Sequence, residues 1–250
     1  MSTFLTATQI DQFYSEGYLV VEDVLPEEVL TALHVEYSAL LDEVAERLFA
    51  VGRLSSSLDG LPFEEKYVRM LAEYQDFYKH INISLPLENE MPASANMHAG
   101  PAVFGLLTHP SLLDFVGSII GQETYSNPVQ HVRLKPPASR VPKGIKEYSN
   151  VCSTPWHQDQ AALLNKANDT QVLTVWAAIT DATLDNGCLI CEPRSDLHNS
   201  GELTMHCPGV GLASENYIRD PLLRKDGLLP LPVKKWRSCV VPSVHPSRCA

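Results

Sequence analysis

The feature that most constrains this chain is a change of hydrophobic period near residue 122. Before it, apolar residues recur every three or four positions. Val29, Leu30, Leu33, Tyr37, Leu40, Leu41, Val44 and Leu48 mark one long stripe, the spacing of a helix with one buried side. Tyr67, Met70, Leu71, Tyr74 and Phe77 mark a second helical stripe within 60–81, and 102–120 suits a third, interrupted near Pro110. Beyond residue 122 the period falls to two. From Val129 onward, Gln130, Val132 and Leu134 alternate with His131, Arg133 and Lys135, which predicts a strand with one basic face. Helices first and strands later make an α+β protein rather than an alternating α/β one.

Local signals sharpen this outline. Thr6 with Gln9 three residues on forms a capping box, and Gly17 is placed to end the short helix that follows. "YLVVEDV" over 18–24 is β-branched and reads as a strand. Pro26 suits the first turn of the long helix. "QVLTVWAAITDA" over 171–182 predicts a second strand, Asn186-Gly187 a turn, and "CLICEP" a third strand. "LLPLPVKK" is a fourth, whose prolines put it at a sheet edge. The longest loop falls over 136–150. There is no internal repeat, and an antiparallel barrel or jelly roll is the expected sheet architecture.

Charge narrows the function. A chain of 250 residues with a net charge of -11 lacks the basic surface a phosphate-backbone binder needs, so no nucleic-acid partner is expected. No run reaches the ~18 apolar residues of a membrane span, and the N-terminus lacks a basic segment followed by an apolar one. The expected location is cytoplasmic. The 6 cysteines are then expected reduced. Cys188 and Cys191 have CxxC spacing, but zinc needs a second ligand pair and none is evident nearby in sequence; they read as half-buried strand cysteines.

"STPWHQDQ", residues 153–160, contains the one His-x-Asp triplet of the chain. If extended, His157 and Asp159 lie on one side about 7 Å apart at Cα, with Gln158 facing away. One imidazole and one carboxylate can then share a metal. With a second histidine they suit non-haem Fe(II) and leave positions open for a 2-oxo acid and O2. Taken alone, both residues also fit a surface loop. The basic face of His131, Arg133 and Lys135 changes the weighting, because burying bases without an anionic partner is costly. A solvated sheet face is the plainer reading of those bases.

"VQHVRLKPP", then "WHQDQ", then "VLTVWAAITDATLDNGCL" resembles the phytanoyl-CoA dioxygenase family in order and spacing, and "TQIDQFYSEGYLVVEDVLPEEV" resembles its N-terminal opening. The likeness runs from about residue 6 to about 235. It implies a double-stranded β-helix (jelly-roll, cupin-like) core behind an N-terminal helical region. A single domain over 1–235 is expected, with 1–122 mainly helical and 123–235 forming the jelly roll. The resemblance implies His157 and Asp159 as iron ligands. It puts His131 and Trp176 at 2-oxoglutarate, Trp176 as a pocket wall. Lys135 matches a lysine that binds the co-substrate carboxylate in some members, with Arg133 as competitor. Fe(2+), 2-oxoglutarate and O2 are the implied cofactors, with ascorbate supportive. The implied reaction is hydroxylation or other oxidation of a small organic molecule, in secondary metabolism.

Two departures stand out. Where members carry a Pro-Gly-Ser-His turn, this chain reads "CEPRSDLHNSGELTMHC", so His198 and His206 read as loop histidines. His98 and His109 flank helical turns and read as capping or packing residues. The second departure is at the end of the chain. The family uses a strand of the form "G-D-hydrophobic-hydrophobic-F-H" for its distal ligand, followed by an Arg for 2-oxoglutarate. This chain reads "VKKWRSCVVPSVHPSRCA", and His245 has no strand pattern around it. Dropping one nucleotide at codon 236 permits "GDLVLFHPYTPHGA", the missing strand. Residues 236–250 are therefore expected to be an aberrant tail, the last core strands missing and the activity impaired. Sequencing the gene across that codon decides it. Two rivals make different predictions: a non-catalytic cupin-like module holding a small anion on His131, Arg133 and Lys135, and a zinc hydrolase using His157, Asp159 and His206.

Overall fold

Helix α1 (Ala7–Glu16) starts where its capping box predicts. Thr6 Oγ1 accepts the Gln9 N–H at 3.3 Å, and Gln9 Oε1 accepts the Thr6 N–H at 2.9 Å. Gly17 closes it at φ 78°, a left-handed conformation that costs glycine little. In the computed structural model the described residues are 4–84, 97–127, 130–145, 170–194 and 227–234, with the backbone alone of 157–158, 238–242 and 248–249.

Strand β1 (Tyr18–Glu22) follows. It stops short of the expected 24 because Asp23 turns to φ 58°. Pro26 is the N-cap of α2 (Glu27–Ala50) rather than a first-turn residue, and the two glutamates after it favour the positive end of the helix. The stripe read from sequence is the buried one: Leu30, Leu33, Tyr37, Leu41, Val44 and Leu48 all face inward. The stretch 60–81 is two pieces. Helix α3 (Phe63–Glu73) ends at Tyr74, whose extended backbone (φ -147°) starts a 3-10 segment, Gln75–His80. The kink keeps Phe77 in the same core as Tyr67, their rings 5.4 Å apart at 70°.

Helices α4 (Pro101–Leu107) and α5 (Pro110–Ile120) are separated just before Pro110, as the sequence predicts. Counted through that break, Pro101–Ile120 is long and apolar enough to cross a membrane by length and composition only, although Thr108, His109, Ser111, Asp114 and Ser118 interrupt its apolar run. The break and the burial of Val103, Leu112, Phe115 and Ile119 fit core helices better. Glu36 of α2 ties α4 down: its carboxylate accepts the Ala102 N–H at 2.6 Å and the Val103 N–H at 3.3 Å, and lies 2.8 Å from His98 Nε2. Burial pushes the Glu36 carboxyl up, but the Ala102, His98 and Val103 hydrogen bonds outweigh it and hold it below the usual range. Lys66 of α3, a buried lysine, pairs with Asp42 of α2.

The strand half is built from short pieces: β2 (His157–Gln158), β3 (Trp176–Ala177), β4 (Leu189–Cys191), β5 (Leu229–Leu231), β6 (Ser238–Pro242) and β7 (Arg248–Cys249). They form a three-stranded sheet, β1-β6-β3, and a four-stranded sheet, β2-β7-β4-β5. Every named pairing is antiparallel. β5 is at an edge, as its prolines predict. The expected strand over 171–182 is hydrogen-bonded as a strand only at β3, with one further bridge from Ala182 to Val233.

The end of the chain corrects the sequence reading. No strand was expected past Lys235. Yet β6 pairs along its whole length with β1, Tyr18 opposite Pro242 and Glu22 opposite Ser238, and fills the centre of its sheet. "SCVVP" carries a β-branched pair, and the apolar "YLVVE" gives it a partner. Strand propensity of five residues is enough here, whatever family pattern they lack.

Three apolar clusters hold these layers together. The first lies among α2, α3 and Val103. The second joins α1, the start of α2 and α5 to Leu19 and Val21 of β1. The third gathers Cys191 of β4 and Leu231 of β5, with Tyr18, Val20 and Trp176 packed on it. β1 therefore has one face toward the helices and the other toward the second sheet, which is why it is apolar at nearly every position.

Candidate metal and co-substrate site

His157 stands on β2, opposite Cys249 of β7, which is itself opposite Cys191 of β4. Its backbone is extended, as the metal reading requires. Asp159, the second expected ligand, lies outside the described residues, as do His198 and His206. Among the described residues no three His, Cys, Asp or Glu side chains converge on a possible metal position.

The basic segment differs from expectation. Residues 130–135 form no strand ladder. Side chains from the helical half hold them instead. Asn82 Oδ1 accepts the Val132 N–H at 3.3 Å, Asn82 Nδ2 lies 3.1 Å from His131 Nδ1, and the Tyr67 hydroxyl donates to the Leu134 carbonyl at 2.6 Å. The alternation itself is real: Val132 and Leu134 pack on the first cluster. His131 is exposed, so the burial argument does not apply to it, whereas Arg133 and Lys135 are half-buried. Asn82 gave a weak signal in sequence, a single amide between Ile81 and Ile83. The amide is half-buried, and its oxygen also accepts the Ile83 N–H at 3.0 Å.

Lys135 reaches the Asn186-Gly187 turn. A Cβ placed on Gly187 would lie 3.1 Å from Lys135 Cδ, and Gly187 has φ 90°, so the position requires glycine twice over. Asn186 builds the turn. Its Oδ1 accepts the Thr183 N–H and hydroxyl, its Nδ2 donates to the Asp181 carbonyl at 2.7 Å, and the Cys188 N–H closes the loop onto the Thr183 carbonyl at 2.9 Å. The fold thus brings one predicted base to the turn between β3 and β4, which lie in different sheets rather than forming the expected hairpin, while His131 stays with Asn82.

Trp176 is half-buried on β3, opposite Val240 of β6, and packs on the third cluster. Cys191 belongs to that same cluster and shares a rung with His157. The cysteines are more buried than expected. Burial pushes the Cys188 thiol up and the Cys191 thiol up to about 12, against the lowering effect of backbone hydrogen bonds. Outside the site, His109 caps α5 by accepting the Ser111 N–H, and His98 packs edge-on against Tyr37 at 5.3 Å. Both do what the sequence suggested.

Solved structures share this fold. The non-heme alpha ketoglutarate dependent carbocyclase SnoK from nogalamycin biosynthesis superposes with a TM-score of 0.51 at 16% identity, covering 99% of this chain and 79% of SnoK. EvdO2 from Micromonospora carbonacea var. aurantiaca gives 0.50 at 17% identity, covering 98% and 88%. At such identities the likeness speaks for the fold. The sequence itself carries the assignment: the family model described as Phytanoyl-CoA dioxygenase (PhyH) matches residues 13–211, and the chain belongs to that family.

Proposed function

We propose that this protein is an Fe(II)- and 2-oxoglutarate-dependent oxygenase that hydroxylates, or otherwise oxidises, a small organic molecule. Family membership supports a dioxygenase-like enzyme using that metal and co-substrate. The observation that carries the finer reading is the extended backbone at His157–Gln158 within a sheet. An extended backbone that continued through Asp159 would set an imidazole and a carboxylate on one side, a nitrogen and oxygen donor pair that fits ferrous iron. The proposed surrounding fold is the double-stranded β-helix, one domain over 1–235 to whose sheets 238–242 and 248–249 add strands.

Ferrous iron bound there would supply the oxidising power for a C–H bond, with O2 and 2-oxoglutarate as co-substrates. The protein's residues do the rest. His157 and Asp159 would hold the metal. Lys135 pairs with the distal carboxylate of 2-oxoglutarate, and Arg133 is its competitor. A stem lying against the Gly187 turn keeps that ammonium in one place. His131 helps orient the co-substrate, and Trp176 walls the site from water. SnoK is from nogalamycin biosynthesis, which supports a natural-product substrate.

In this form the chain turns over poorly. The family's distal histidine and arginine are absent from "VKKWRSCVVPSVHPSRCA" in their usual pattern. Calorimetry of 2-oxoglutarate binding with and without Fe(II) tests the site. Binding that requires Fe(II) and disappears in His157→Ala is the expected result. Metal-independent binding favours the small-anion module instead. Succinate release with Fe(II) and ascorbate tests the impairment, which robust turnover refutes.

A further inference from the structure

Asn82 joins the helical core to the segment that carries the predicted bases. It sits between Ile81 and Ile83, both buried in the first cluster. Its backbone is held from two sides. The Ile81 carbonyl accepts the Tyr37 hydroxyl at 2.9 Å, and the Asn82 carbonyl accepts the His98 N–H at 2.9 Å. From this rigid base the side chain reaches both His131 and Val132.

The orientation of an amide is read from its partners. One corner of the Asn82 amide faces two backbone donors, the Ile83 N–H at 3.0 Å and the Val132 N–H at 3.3 Å. Backbone N–H groups only donate, so that corner must be the oxygen. The other corner is then the NH2 group, which also only donates, and it lies 3.1 Å from His131 Nδ1. Nδ1 therefore accepts. A neutral imidazole carries one proton, and the hydrogen bond made at one ring nitrogen decides where it goes. On His131 it belongs on Nε2. A proton on Nδ1 would face the amide's own hydrogens. The amide cannot turn over to receive it without aiming its NH2 at two backbone N–H groups.

We propose that Asn82 is a positioning residue that locks His131 in its Nε2–H tautomer, so that the ring offers a hydrogen-bond donor to an oxygen of 2-oxoglutarate. The co-substrate half rests on the oxygenase reading; the tautomer rests on the hydrogen bonds alone. The division of labour with Lys135 is chemical. An ammonium supplies charge, which attracts an anion from many directions. An imidazole with one fixed N–H adds no charge but favours an acceptor in line with that bond, and so sets orientation.

The test is nitrogen-15 NMR of the full 250-residue chain at about pH 8, above the ordinary histidine pKa of ~6.5. His131 signals are identified by their loss in His131→Gln. The expected result is an unprotonated Nδ1 and a protonated Nε2 in the parent chain. Asn82→Asp keeps an oxygen for the Ile83 and Val132 N–H groups but replaces the NH2 by a second acceptor, and should put a proton on Nδ1. Calorimetry with 2-oxoglutarate and Fe(II) reads the consequence. His131→Leu should bind roughly 10-fold or more weakly, the contribution of a hydrogen bond to a charged group. His131→Gln, whose amide can still donate, should recover much of that loss. A protonated Nδ1 in the parent chain overturns the proposal. So does a tautomer that Asn82→Asp leaves unchanged, or an affinity in His131→Leu that matches His131→Gln. Far-ultraviolet circular dichroism checks that each variant folds, and the parent spectrum decides the tautomer without any Asn82 variant. Failure of the oxygenase reading looks different: 2-oxoglutarate binding is absent or independent of Fe(II), while the His131 proton stays on Nε2.

Discussion

The helical half and the strand half of this protein are held together by different means. In the helical half each element is long enough to announce itself. α2 runs for 24 residues and buries a continuous stripe, and its partners α3 and α4 dock through Lys66–Asp42 and through Glu36. Among the described residues of the strand half no element exceeds five residues, and β2, β3 and β7 are two residues each. Those strands exist because a distant segment pairs with them. Of the proposed site residues, His157 and Trp176 lie on such strands, so their backbone geometry depends on contacts between segments far apart in sequence.

The sharpest way to break the comparison is to empty the helical core. Phe77→Ala removes a fully buried ring and should cost about 3–5 kcal/mol in urea unfolding. Leu231→Ala, in the third cluster, should cost less; the reverse order would mean that the strand half is the better packed. Next is Glu36→Gln, expected to cost about 1–2 kcal/mol at neutral pH. The folded carboxyl is held low, so its stabilisation is complete above the unfolded value of ~4.3 and is lost as pH falls through the folded one. The gap in melting temperature between parent and variant should therefore close in acid. A gap that widens there contradicts the assigned role.

A probe of comparable size in the strand half is Asn186→Ala. It strands the Thr183 N–H and the Asp181 carbonyl and should cost about 1–2 kcal/mol. It should also weaken 2-oxoglutarate binding through Lys135, which rests on the same turn. Calorimetry and melting on one preparation separate the two effects. The smallest expected change is Thr6→Ala, about 1 kcal/mol from the lost cap, with binding untouched. A binding effect there would mean the helical half reaches the site more directly than the packing suggests.

What could be read from sequence follows the same division. The capping box at Thr6, the stripe of α2, the break before Pro110 and the edge position of β5 are local or periodic signals, and all four are present. The kink at Tyr74 was hidden because Phe77 keeps the apolar spacing of a continuous helix. The alternation of 130–135 correctly placed Val132 and Leu134 inward but implied a ladder that Asn82 and Tyr67 replace with side-chain bonds. His157 could be located from its motif. Its neighbours Cys249 and Cys191 could not, since a register across three strands leaves no mark in any one of them.

β6 also sets a clock. Tyr18 to Glu22 finds its partner only when residues 238–242 have been made. At ~5–20 residues per second, synthesis leaves the apolar β1 edge waiting roughly 10–45 s. During that time its unmatched amides and carbonyls are open to other chains. Synthesis rate and chaperone supply should then govern how much of this protein reaches its native state, more than the stability of the finished fold does.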